Sequence, residues 1–346
     1  MKFKALVLKK PGDVSVEYID TERVDVFPDA NIVVRMLAAS ICGTDIEIFS
    51  EEIPTRKLPI VMGHEGVGEI VDIRRKDQIT KNFEIGDKVL IDPNIIDYVC
   101  PMCRAGKFNL CLNGGLMGRD YDGLIREYIE ISGRQLYKLP KNLDLEIGPL
   151  LQPLSTVIHA QNKARITPDS IVLIVGTGNT GLMHVQVAKL RGATVIAIGR
   201  DKAKVALARS LGADFSYSIL DYTLDDIKSE IYKLTDQAGV DILIDATNDG
   251  ESIMKYIDLV KPGGTIISFG TSKKEIYIPQ YSLYIKELVL IAPRSSNPID
   301  FVEAIKIATS NKINLRALIG GRVPLDNATT IFNRLKLNLK TIIYIK

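Results

Sequence analysis

An apolar, β-branched run, Ile171-Val172-Leu173-Ile174-Val175, passes at once into Gly176-Thr177-Gly178-Asn179-Thr180-Gly181 and then into a helical stretch, Leu182 to Leu190. Ala193–Ile198 reads as the next strand, so the glycines lie inside a βαβ unit. Few folds accept this order of local structures, because the turn presents helix-terminal N–H groups to a phosphate. Gly176 suits the tight turn, Gly178 lets a pyrophosphate approach the backbone, and Gly181 lets helix and strand close together. Strand candidates Asp214–Ser218, Val240–Asp245, Gly264–Phe269 and Val289–Ile291 follow, alternating with helical stretches Lys202–Leu211, Leu224–Leu234 and Ser252–Val260. That alternation predicts an α/β, doubly wound parallel sheet.

A dinucleotide cofactor is expected, and one departure bears on which. An NAD-binding unit carries an acidic residue at the end of its second strand for the ribose 2′-hydroxyl; this chain has Gly199-Arg200 there. Without the carboxylate a 2′-phosphate is not repelled, and a guanidinium can bind it bidentately. NADP is therefore expected, with Gly176, Thr177, Gly178, Asn179, Thr180, Gly181, Gly199 and Arg200 as contacts. The alternative is that Arg200 is a solvated charge and Asp201 serves the ribose of NAD.

The region before this unit has short strands with frequent Gly and Pro, as in an antiparallel or barrel-like domain. A chain of 346 residues exceeds one usual core, so two domains are the default. Net charge is +2 with no basic tract, which excludes a nucleic-acid partner. Nothing approaches a signal peptide or a membrane span, and a cytoplasmic location is expected. In a reducing compartment closely spaced cysteines bind metal more often than they form disulfides.

Cys42 follows the strand-like run Ile32–Ile41. Gly63-His64-Glu65-Gly66-Val67-Gly68 lies between the strand-like stretches Leu58–Val61 and Glu69–Val71. A buried Cys is by default a small core residue, but a thiolate and an imidazole on two strand ends suit zinc. The other three cysteines, Cys100, Cys103 and Cys111, form a compact second group.

Cys42-Gly43-Thr44-Asp45, Gly63 to Gly68, the cysteine group and the glycine fingerprint, in this order and spacing, resemble the zinc-containing medium-chain alcohol/polyol dehydrogenase family over essentially the whole chain. The resemblance implies a barrel-like (GroES-like) β-rich catalytic domain at about 1–156 and 293–346, with the Rossmann-type domain, 157–292, inserted. It implies that Cys42 and His64 hold a catalytic zinc with one open position, where Lewis acidity favours the alkoxide of an alcohol that loses hydride to the nicotinamide. Glu65 becomes the third protein ligand, and the Thr44 hydroxyl relays the substrate proton. Asp45 stabilises the loop. Where an anionic ligand is often found this chain has Gln152-Pro153-Leu154, so Gln152 contacts zinc transiently or binds substrate hydroxyls; the alternative is that it is simply a helix-entry residue. Cys100, Cys103 and Cys111 match the family's structural zinc lobe, with Asp97 in place of the first cysteine; three thiolates and a carboxylate still suit tetrahedral zinc. The competing reading is a lobe without metal. A homo-dimer or homo-tetramer is also implied.

Glu47 and Gln152 make the motif detail similar to archaeal glucose dehydrogenases. With Asn94 they would pair the hydroxyls of a small polyhydroxylated substrate, although Glu47 also fits a surface charge continuing to Glu51 and Glu52. The leading expectation is NADP-dependent oxidation of an aldose at C1. Alternatives are alcohol, L-threonine or polyol oxidation in the same family, a zinc-free quinone reductase, and a non-catalytic NADP sensor. His159 and His184 lie in helical stretches and read as structural residues.

Overall fold

A computed structural model describes residues 2–23, 25, 27, 29–271, 275–333 and 339–345. The chain forms two compact units: Met1–Pro153 with Asn297–Ser310 and Leu315–Lys346, and Leu154–Ser296 with Asn311–Asn314. The breaks fall a few residues from the expected boundaries. Residues 311–314 join the second unit because the Asn314 N–H donates to Gln186 Oε1 at 2.6 Å and the Asn314 carbonyl accepts from Gln186 Nε2 at 3.4 Å.

In the second unit a parallel sheet runs Phe215–Ser218, Thr194–Gly199, Ile171–Val175, Val240–Asp245, Val260–Ser268, Val289–Ile291. Its central strand Ile171–Val175 is apolar throughout, and Val195–Ile198 and Ile242–Ile244 beside it are apolar, as helices covering both faces require. Leu173, Ile196, Leu243 and Ile266 meet Ile227 and Ile231 of the helix Leu224–Leu234 in one core. The strand order reverses beside Ile171–Val175, and the glycine turn stands at the carboxyl end of that strand, where α/β sheets bind their ligands. The helix after the turn begins at Asn179 rather than Leu182. The expected helix Ser252–Val260 is shorter: Ser252–Tyr256, a single turn Ile257–Leu259, then strand from Val260. Pro262 disfavours helix in the residue before it, so the chain is extended there.

In the first unit a mixed sheet runs Leu136–Lys138, Lys88–Ile91, Glu65–Ile73, Ile32–Ser40, Lys340–Tyr344, Ile319–Pro324, with Tyr128–Ile131 also paired to Ile32–Ser40. A smaller sheet joins Asp13–Asp20, Lys2–Lys10 and Ile60–Val61. Leu6, Ile32, Val34, Met36, Ile70, Val89 and Ile343 fill the core between them. Among the described residues these ladders are antiparallel except Ile319–Pro324 with Lys340–Tyr344. One element differs from expectation: Glu65 to Gly68 are strand, not loop. Gly66 and Gly68 look like turn residues in sequence. Here they leave room for neighbours, since added Cβ atoms would stand 2.7 Å from Met36 Cε and 2.3 Å from Val34 Cγ1.

Candidate catalytic and nucleotide sites

Strand pairing brings the first constellation together. Ser40 pairs with Glu65 on one side and with Ile342 on the other. Cys42, two residues beyond the end of one strand, therefore meets His64, one residue before the start of its antiparallel neighbour. Gly63 makes the entry possible: its φ is +91°, and a Cβ there would lie 2.4 Å from Ile125 Cγ1. Ligand atoms of Cys42, His64 and Glu65 all lie within 4.8 Å of one another.

The surroundings orient these groups. Asp45, fully buried in the first turn of the helix Gly43–Phe49, accepts the Cys42 backbone N–H at 2.7 Å with one oxygen. Its other oxygen stands 3.5 Å from His64 Nδ1, and both atoms are buried with no other hydrogen-bond partner. A carboxylate beside Nδ1 leaves Nε2 for a metal. Burial alone would lower the His64 pKa; the Asp45 charge and Cys42 outweigh it and hold the value well above the ordinary imidazole range. A thiol, an imidazole and a carboxylate in an anionic pocket fit zinc.

Glu65 is more heavily engaged than its sequence neighbours indicate. Both its oxygens accept from Lys340 Nζ, at 2.5 and 2.6 Å, and Oε2 also accepts from the Ser40 hydroxyl. Lys340 is 3% exposed and Glu65 fully buried. Sequence reading missed Lys340 altogether; a lone lysine at a strand start carries no signal. Thr44 and Glu47 lie half-buried on the helix Gly43–Phe49. Gln152 is buried at the start of the helix Leu151–Ala164. Asn94 is turned to the interior, its side-chain N–H donating to Asp92 Oδ1 at 2.7 Å.

The second constellation is Asp97, Cys100, Cys103 and Cys111, again with ligand atoms within 4.8 Å. Backbone N–H groups of Asp97 and Leu112 point at the sulfurs of Cys111 and Cys100, at 3.4 and 3.5 Å. Asp97 accepts N–H bonds from Cys100, Val99 and Asn113. The Cys100 bond, with those of Val99 and Asn113, holds its carboxyl far below the usual range, so it is an anion at neutral pH. Three sulfurs and an anionic carboxylate fit tetrahedral zinc.

In the second unit, the helix Asn179–Leu190 has Gly178 at its cap and Asn179, Thr180 and Gly181 in its first turn. A Cβ on Gly181 would sit 1.8 Å from the Gly176 carbonyl oxygen, so only glycine permits this approach; one on Gly178 would meet nothing within 4 Å, leaving space over the helix N-terminus. Arg200 is exposed beyond the strand Thr194–Gly199. Asp201 caps the helix Lys202–Ser210, accepting from Ala203 and Lys204 N–H at 2.9 and 3.2 Å. Both bonds use Oδ1 of Asp201. His184 is fully buried, its Nδ1 3.2 Å from Gln161 Nε2, and burial pushes its pKa down to about 3. It stays neutral.

A doubly wound nucleotide unit joined to a β-rich unit that holds two zinc-type ligand clusters defines a metal-dependent dehydrogenase class. Comparison with known proteins narrows this. Residues 28–141 match the family model of the alcohol dehydrogenase GroES-like domain, and residues 180–310 that of the zinc-binding dehydrogenases. The chain is 28% identical to D-arabitol-phosphate dehydrogenase of Enterococcus avium, over 96% of this chain and 94% of the other. It is 29% identical to a protein of Aspergillus fumigatus named "Probable D-xylulose reductase A", over 90% and 89%. A protein of Sinorhizobium meliloti 1021 described as a zinc-binding dehydrogenase, bound to NADP, superposes with TM-score 0.90 at 28% identity, covering 99% of both chains. The chain belongs to the zinc-containing medium-chain alcohol/polyol dehydrogenase family and is an NAD(P)-dependent oxidoreductase. No helix among the described residues is long and apolar enough to cross a membrane.

Proposed function

We propose that this enzyme oxidises a hydroxyl of a sugar or polyol with NADP as acceptor. The observation that carries the cofactor reading is Gly199-Arg200 at the end of the second strand, with Asp201 held as a helix cap. The substrate reading rests on the half-buried Glu47 and buried Gln152 in the unit that holds Cys42 and His64. It is supported by relatives named for xylulose and arabitol phosphate.

Cys42, His64 and Glu65 would hold a zinc ion, which supplies Lewis acidity toward a substrate hydroxyl. Asp45 keeps the His64 ring in place, and Lys340 holds both oxygens of Glu65 in position. The Thr44 hydroxyl takes the substrate proton toward solvent. Glu47 and Gln152 pair further hydroxyls, which rejects analogues lacking them. The turn Gly176–Gly181 would bind the pyrophosphate of the dinucleotide, whose nicotinamide would supply the hydride acceptor. Asp97, Cys100, Cys103 and Cys111 would hold a second zinc that stabilises their lobe.

An aldose oxidised at C1 is the second reading, since the same pairing of hydroxyls serves a ring sugar. Purified protein with NADP should reduce the nicotinamide on a panel of polyols, polyol phosphates and aldoses. The polyol and aldose arms separate the two readings. Turnover of short alcohols with none of sugars or polyols overturns both.

A further inference from the structure

Gly199 is glycine for reasons of space, not of backbone. It lacks a positive φ and sits in regular parallel register opposite Ser218, a conformation any residue adopts. Yet a Cβ built there would stand 2.1 Å from Oγ1 of Thr177, 2.8 Å from its Cγ2 and 3.0 Å from its Cβ. Turning the Thr177 side chain does not relieve this, because the branched carbon itself is close. Thr177 is 5% exposed, so it has little room to move aside.

The position matters because the end of the second strand is where a carboxylate would take the ribose hydroxyls. We propose that Thr177 is a specificity determinant for the dinucleotide. Its side chain fills the space beside Gly199, excludes an acidic residue from the ribose position, and leaves Arg200 to define that end of the site. This deepens the NADP reading and rests on it. Two residues that look independent, one in the glycine turn and one at a strand end, must then change together for the preference to reverse.

The test is a cycle of Gly199→Asp, Thr177→Ala and the double variant, each measured for thermal midpoint and for the Michaelis constants of NADP and NAD. Gly199→Asp alone should lower the midpoint by several degrees and weaken both dinucleotides. The double variant should recover most of the midpoint and take NAD with a Michaelis constant about tenfold lower than Gly199→Asp, the effect of one good bond to a charged acceptor. A Gly199→Asp protein that keeps the wild-type midpoint and binds NAD as well as the double variant overturns the proposal. A wild-type enzyme that prefers NAD sinks the NADP reading instead. In that event the thermal cycle decides the steric exclusion: non-additive midpoints uphold it, and additive ones overturn it.

Discussion

Lys340 Nζ lies 2.5 and 2.6 Å from the two carboxylate oxygens of Glu65, and both residues are shut away from solvent. Removing one partner of such a pair strands a buried charge, which costs about 3–5 kcal/mol. Lys340→Met should therefore lower unfolding free energy in denaturant by about that amount. Lys340→Met with Glu65→Gln should lose less than Lys340→Met alone. Equal losses would mean that the pair is not the source of the effect.

The lobe of Asp97, Cys100, Cys103 and Cys111 predicts a second metal equivalent. Elemental analysis should find about two zinc ions per chain in the wild type, one for each ligand cluster. Cys103→Ser should retain about one, with a lower thermal midpoint. One zinc in both proteins would show that the lobe holds none.

Arg200→Ala should raise the Michaelis constant for NADP roughly ten- to hundredfold, the value of a charge-assisted bidentate contact of about 1.5–3 kcal/mol. The constant for NAD should change little. Equal effects on both dinucleotides would remove Arg200 from the 2′-phosphate.

Asp92 gives a pH signature. It is buried, and burial raises its pKa to about 7 despite hydrogen bonds from the Asn94 backbone and side chain. The folded value lies above the unfolded one, so its contribution is fully present below about pH 4 and is lost as pH rises through about 7. The loss is about 4 kcal/mol at most. Asp92→Asn keeps an acceptor for Asn94 and should flatten the stability profile between those limits. Parallel profiles for the two proteins would refute the assignment.

Local patterns were the legible ones. The strand, glycine turn and helix of 171–190 are contiguous, so their chemistry could be read without the fold. Cys42 and His64 could be paired because each sits at a strand end. Asp201 was readable too, as an acidic residue directly before a helical stretch, but the competing ribose role obscured it. What could not be read were contacts set by sheet order. Lys340 reaches Glu65 only because the strand Lys340–Tyr344 lies beside Ile32–Ser40. Thr177 meets Gly199 only because neighbouring parallel strands place their carboxyl ends side by side. Gly66 and Gly68 misled for the same reason: their use is cross-strand packing, while their local signature is a turn.

The strand Lys340–Tyr344 imposes an order on biosynthesis. Glu65 leaves the ribosome 275 residues before the lysine that neutralises it, and the entire nucleotide unit is translated in between. The cysteine and histidine beside Glu65 are therefore translated well before the lysine that packs against it. The Glu65 carboxylate can take its native partner only once the strand Lys340–Tyr344 has been made and set beside Ile32–Ser40.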